Sequence, residues 1–243
     1  AATTNFLLRN GTNTKTAFQI NEHFEYYGAY VNRACYNETA MISMHCLSKH
    51  IGELLPVVKE MITESTMPSE ELAIYQQNMK QRLKVSLKKS DFVAGRLIDV
   101  YLYGEKHPYG KYSSAEDFDA LNRDQLLHFY NEYYTQGKLI LFVAGKLPAN
   151  INALLDEHFG DLPNNPVEVK QHPLVLATEK KYRVTNDPDG VQGSIRIART
   201  FPNRHHPDFL KVQVLNTLFG GFFGSRLMSN IREDKGYTYG IHS

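Results

Sequence analysis

Arg232 and Tyr239 are the pair whose types and spacing best fit a chemical task. Ser225-Arg-Leu227 opens a helical stretch that carries Arg232, and Tyr239 follows seven residues later, past Gly236. An Arg near a helix end and a Tyr on the next strand can converge on one carbonyl or carboxylate, the guanidinium donating a fork and the phenol one further hydrogen bond. On spacing alone the simpler reading, an exposed Arg and a half-buried strand Tyr, is the favoured one. Ten histidines invite a metal, but a helical zinc site needs two ligands one turn apart with a carboxylate between them, as in H-x-x-E-H or H-E-x-x-H, and neither string occurs. His45, Cys46 and His50 form the remaining cluster of metal-capable side chains, spread across a strand end.

Other chemistries have even less support. No G-x-S-x-G elbow is present, and Cys35 and Cys46 fall in predicted strands, where cysteine acts as a small hydrophobe. Gly220-Gly-Phe-Phe-Gly224 lacks the Lys-Ser/Thr of a phosphate loop and follows a helix, not a strand. Lys80, Lys84 and Lys88, beside Arg82 and Lys89, make a basic stripe with no interleaved aromatics, which reads as a solvated face and not as a nucleic-acid surface. A net charge of +1 adds no global attraction to nucleic acid or anionic lipid. No apolar run approaches the ~20 residues of a membrane span, and two cysteines cannot build a disulfide framework.

The elements that must position these residues follow from periodicity and caps. A first helix precedes Gly11, and a second, capped at Thr14 or Thr16 and carrying Ala17, Ile20, Phe24 and Tyr27, ends at Gly28. Two strands, Ala29–Tyr36 and Thr39–Leu47, flank a turn at Asn37-Glu38. Ile51, Leu54, Leu55, Val58, Met61 and Ile62 define the next helix. Another begins after Pro68-Ser69, with no Gly or Pro until Gly95. Ser113-x-x-Glu116 and Asn122-x-x-Gln125 start two short helices. Lys138–Lys146 reads as a buried strand, and Ile151–Phe159 as a helix stopped by Gly160. Arg183–Thr185 and Gln192–Thr200 read as strands, Phe209–Leu218 and Ser225–Asp234 as helices, and Tyr237–Ser243 as a strand. Helix, Gly28, aromatic strand is echoed by helix, Gly236, aromatic strand, a weak internal repeat.

The string from Leu215 to Tyr239, LNTLFGGFFGSRLMSNIREDKGYTY, resembles the second-domain signature of the pitrilysin/insulinase family, which includes mitochondrial processing peptidase. Leu8-x-x-Gly11-Thr12, Ser114-Ala-Glu-Asp117, Tyr133-Tyr-Thr135, Val143-Ala-Gly145 and Phe159-Gly-Asp-Leu-Pro163 extend the resemblance over nearly the whole chain. It implies an α+β fold of two homologous domains, each a largely antiparallel sheet covered by helices: 1–163 as the first, 164–178 as a linker, and 179–243 as the start of the second, with both ends truncated.

The resemblance also implies zinc on an inverted H-x-x-E-H just before Gly11-Thr12, but those positions hold Ala2, Asn5 and Phe6 in place of ligand, base and ligand. The third ligand would fall on the helix after Ser69, where no Asp or Glu occurs from Leu72 to Ser90. Arg232 and Tyr239 match the family's substrate-holding pair, which reaches the zinc from the opposite half, although Phe222 and Phe223 depart from its glycine-rich run. The expectation is a subunit inactive alone, with zinc in a homologous partner, a peptide as shared substrate, and no cofactor, nucleic acid or membrane span of its own. A structural subunit of a larger assembly is the alternative reading. The compartment stays open.

Overall fold

The computed structural model describes residues 1–165, 172–173, 182–201 and 203–243. The linker expected over 164–178 falls mostly outside them. The backbone divides into two compact units, Ala1–Arg196 and Ile197–Ser243.

In the first unit, α1 (Ala2–Leu7) is followed by α2 (Ala17–Tyr26), whose N-cap is Thr16. Thr16 and Gln19 cap each other reciprocally, satisfying two amides that the first helical turn leaves without partners. The helix exits through Gly28 at φ +62°, a left-handed conformation that costs a Cβ-bearing residue about 1–2 kcal/mol. The Gly28 and Ala29 amides donate back to the carbonyls of Glu25 and Phe24, which aims the chain into β1 (Tyr30–Cys35). β1 pairs antiparallel with β2 (Ala40–His45), from Tyr30 opposite His45 to Cys35 opposite Ala40.

α3 (Ile51–Thr63) buries Leu54, Val57 and Met61 against Ile20 and Phe24 of α2 and Val31 of β1. A second cluster joins Leu7 and Leu8 to Met67, to Leu72 of α4 (Ser69–Ser86), and to Leu126 and Tyr130 of α7 (Arg123–Tyr133). The buried Tyr130 hydroxyl donates to the Ile62 carbonyl (2.7 Å) and accepts from the Ser65 amide (3.1 Å), tying α7 to the end of α3. A third cluster places Phe159 of α8 (Ile151–Phe159) on Leu55 and Ile62.

Three expectations need correction. The chain after Ser69 breaks at Leu87–Lys89, and α5 (Ser90–Tyr103) runs through Gly95. The Asn186 amide donates to the carbonyls of Leu87 and Lys88, satisfying groups freed by that break, and no Gly or Pro marks it. The capping box of α6 (Ala115–Asp119) uses Ser114 and Asp117, one residue beyond the expected Ser113 and Glu116. The sheet is also smaller than expected, because among the described residues only β1 and β2 form a ladder. Lys138–Lys146 pairs with neither. Leu139 packs beside α8 while Phe142 is 91% exposed, and without a neighbouring edge an apolar run has no strand hydrogen bonds to make.

In the second unit, α9 (Phe209–Gly220) leads to a helical segment whose Met228–Asp234 portion is π-helical. Gly220 lies against the backbone and side chain of Ser243, where a Cβ would come within 2.5 Å of the Ser243 hydroxyl. The strands expected over 183–185, 192–200 and 237–243 form no ladder either.

Candidate functional site

Phe6 sits on α1, where the family signature would place a zinc ligand, and its ring lies 4.8 Å from that of Tyr75 on α4. The Arg33 guanidinium of β1 covers Phe6 at 4.5 Å from the ring centroid and donates to the Phe6 carbonyl. Arg33 also donates to Asn10 Oδ1 (3.2 Å), and Asn10 Nδ2 donates to Glu71 Oε2 (2.6 Å). Burial, and then the like charge of Arg9, holds the Arg33 guanidinium below its usual range, yet the ring face and the carbonyl beneath it still favour the cation.

Asn5 is buried, and its Nδ2 has no hydrogen-bond partner among the described residues. It lies beside the Tyr134 hydroxyl without meeting hydrogen-bond geometry, and burial pushes that hydroxyl up to about 12 against the opposing influence of Asn5.

This donor set does not fit zinc. Ala2 and Phe6 offer no lone pair, Asn5 offers a neutral amide, and Tyr75 stands where α4 approaches α1. An aromatic pair capped by a cation occupies the space. Among the described residues, no three His, Cys, Asp or Glu side chains gather as a metal site, so His45, Cys46 and His50 do not form one. His45 instead stacks on Tyr30 across the hairpin, their centroids 4.6 Å apart.

Arg232 lies on the π-helical turn, half-buried, with its guanidinium 4.7 Å from the Phe223 ring centroid. A π-helix adds one residue to a turn and is often found at functional sites. Its exit shows the widening: Gly236, at φ +62°, donates to the Arg232 carbonyl, and Tyr237 donates to Ile231, six residues back. Tyr239 is 94% exposed. No hydrogen bond joins Arg232 to Tyr239 among the described residues. Sequence reasoning missed Phe223 as the support of Arg232, although its place in an otherwise glycine-rich run was the signal. The contact of Phe6 with Tyr75 had no signal, since 69 residues separate them.

Residues 120–243, just over half of the chain, match the family model described as the peptidase M16 inactive domain. An uncharacterized zinc protease of Bacillus subtilis, YmxG, is 26% identical over 96% of the chain and 56% of its own length. The chain therefore spans about half the length of the curated relatives it matches. A crystal structure of a peptidase M16 inactive domain from Pseudomonas fluorescens shares the fold, with TM-score 0.76 and 24% identity over 100% of this chain and 60% of that one. Pitrilysin matches with TM-score 0.59 and 13% identity over 72% of this chain and 20% of its own. The chain belongs to the peptidase M16 inactive-domain family, within the pitrilysin/insulinase group that its Leu215–Tyr239 signature resembles.

Proposed function

We propose that the protein is a non-catalytic, substrate-positioning subunit of a heterodimeric M16 peptidase, in which a homologous partner carries the zinc. The observation that carries this reading is the filled centre. Phe6, at the position that the family resemblance gives to a zinc ligand, packs on Tyr75 under Arg33, while Arg232 is half-buried on Phe223 and Tyr239 is exposed, at the spacing of the family's substrate-holding pair. Arg232 would hold a peptide carbonyl, and Tyr239 would add a hydrogen bond as charge develops on that oxygen. This is a positioning and electrostatic contribution, and removing one such donor costs about 100- to 1000-fold in rate. Without the H-x-x-E-H donors, the positions of Ala2, Asn5 and Phe6 would offer neither ligands for the metal nor a base for an attacking water.

The test is chelator-sensitive peptide cleavage by the complex that copurifies with the tagged full-length subunit. Arg232→Ala should lower kcat/KM at least about tenfold, and Tyr239→Phe should lower it less. Unchanged cleavage by both variants refutes the assignment.

A structural subunit without a peptidase role is the second reading. It is favoured by the lack of a hydrogen bond between Arg232 and Tyr239 among the described residues, and a complex with no cleavage and no zinc-bearing homologue would establish it.

A further inference from the structure

From Leu72 to Ser90 the chain carries five cations, Lys80, Arg82, Lys84, Lys88 and Lys89, and no Asp or Glu, although the whole sequence nets only +1. Lys80 is paired with Asp119. Among the described residues, the other four form no ion pair, and all four are exposed. They lie on the C-terminal half of α4 and on the break before α5. The break is held in place, since Asn186 Nδ2 donates to the carbonyls of Leu87 and Lys88 while the Ser90 hydroxyl reaches Asn186 Oδ1 (3.3 Å) and the Gln192 carbonyl (3.0 Å). Val85 and Leu87, 50% and 42% exposed, lie between the cations.

The geometry points to a docking surface for an acidic polypeptide segment. Spaced carboxylates would meet Arg82, Lys84, Lys88 and Lys89, and small apolar side chains would rest on Val85 and Leu87. Charge complementarity selects this occupant. A single-stranded nucleic acid needs aromatic platforms, and none lies between Lys80 and Lys89. A membrane surface needs a continuous apolar helix face, whereas α4 spends Leu72 and Tyr75 in the core and exposes Ile74 and Val85 eleven residues apart, with Leu87 at its C-cap. The inference deepens the proposed function by naming the chemistry of the peptide that the subunit engages, and so rests on that reading.

The full chain would be titrated with a short fluorescent peptide carrying Glu at alternate positions, with its Gln counterpart, with phosphatidylglycerol vesicles and with a single-stranded oligonucleotide. The Glu peptide should bind, the Gln peptide should not, and raising salt should weaken binding, because exposed charges are screened. Replacing Arg82, Lys84, Lys88 and Lys89 together by Gln should weaken binding at least about tenfold with an unchanged far-ultraviolet CD spectrum. If that variant misfolds, Lys88→Gln with Lys89→Gln, both in the break between helices, should still cost about threefold. Equal binding by the variants, no binding of the Glu peptide, or preference for vesicles or oligonucleotide overturns the proposal. Loss of cleavage by Arg232→Ala without any binding of the Glu peptide would therefore remove this surface and leave the positioning role standing.

Discussion

Two exits from helices, at Gly28 and at Gly236, begin alike and end differently. Both glycines sit at φ +62°, and an aromatic residue follows each within two positions. At the first, Ala29 closes onto Phe24, five residues back, and the chain enters a paired strand over a buried core. At the second, Tyr237 closes onto Ile231, six residues back, and leads to Tyr239 in open solvent. The difference teaches that a local stop signal fixes how a helix ends, whereas pairing and burial decide what the following segment becomes. The extra residue in the second turn also sets Arg232 apart from the tighter ladder of α2.

Four measurements break or sharpen this comparison. Phe24→Ala, which empties the buried last turn of α2, should cost about 3–5 kcal/mol in urea denaturation, and a smaller loss would mean that the first exit is not held by its core. Gly28→Ala and Gly236→Ala should each cost about 1–2 kcal/mol, because both require the same left-handed backbone. A silent Gly236→Ala would end the local equivalence.

The third measurement is pH dependence. Burial pushes the Tyr130 hydroxyl up to about 12, with the hydrogen bond to Ser65 acting against it, and Tyr134 lies equally high. A phenol whose folded value is raised gives stability that is complete below its unfolded value, near 10, and is lost as pH rises toward the folded one. The two phenols should therefore make the stability of the first unit fall between about pH 10 and 12, with Tyr130→Phe removing part of the slope. The smallest effect is expected at Tyr239→Phe, within about 0.5 kcal/mol, because an exposed hydroxyl without partners contributes little to folding.

Much of the first unit was legible in the sequence because its signals are local. The Thr16 and Gln19 box, the Asn122 and Gln125 box and the stripe of α3 depend on neighbours within four residues. Lys138–Lys146 was misjudged because its apolar composition reports a preference for burial and cannot report whether an edge is there to receive it. The break at Leu87–Lys89 was missed because its support, Asn186, lies about a hundred residues away in sequence. At the candidate site, the mismatch of Ala2, Asn5 and Phe6 with a zinc motif was readable only through the family resemblance, and the contacts of Phe6 became visible only once α1, β1 and α4 were brought together.

The stack of Phe6, Tyr75 and Arg33 bears on the order in which substitutions can be made. Phe6→His would set a smaller, more polar ring between Tyr75 and Arg33 before any metal could compensate, and Asn5→Glu would bury a carboxylate beside the Tyr134 hydroxyl. Each single step toward a ligand set is thus downhill in stability and yields no bound ion until the others are in place. Packing of this kind works as a ratchet: while the Phe6 and Tyr75 rings and the Arg33 guanidinium fill this space, building a ligand set there requires several changes at once.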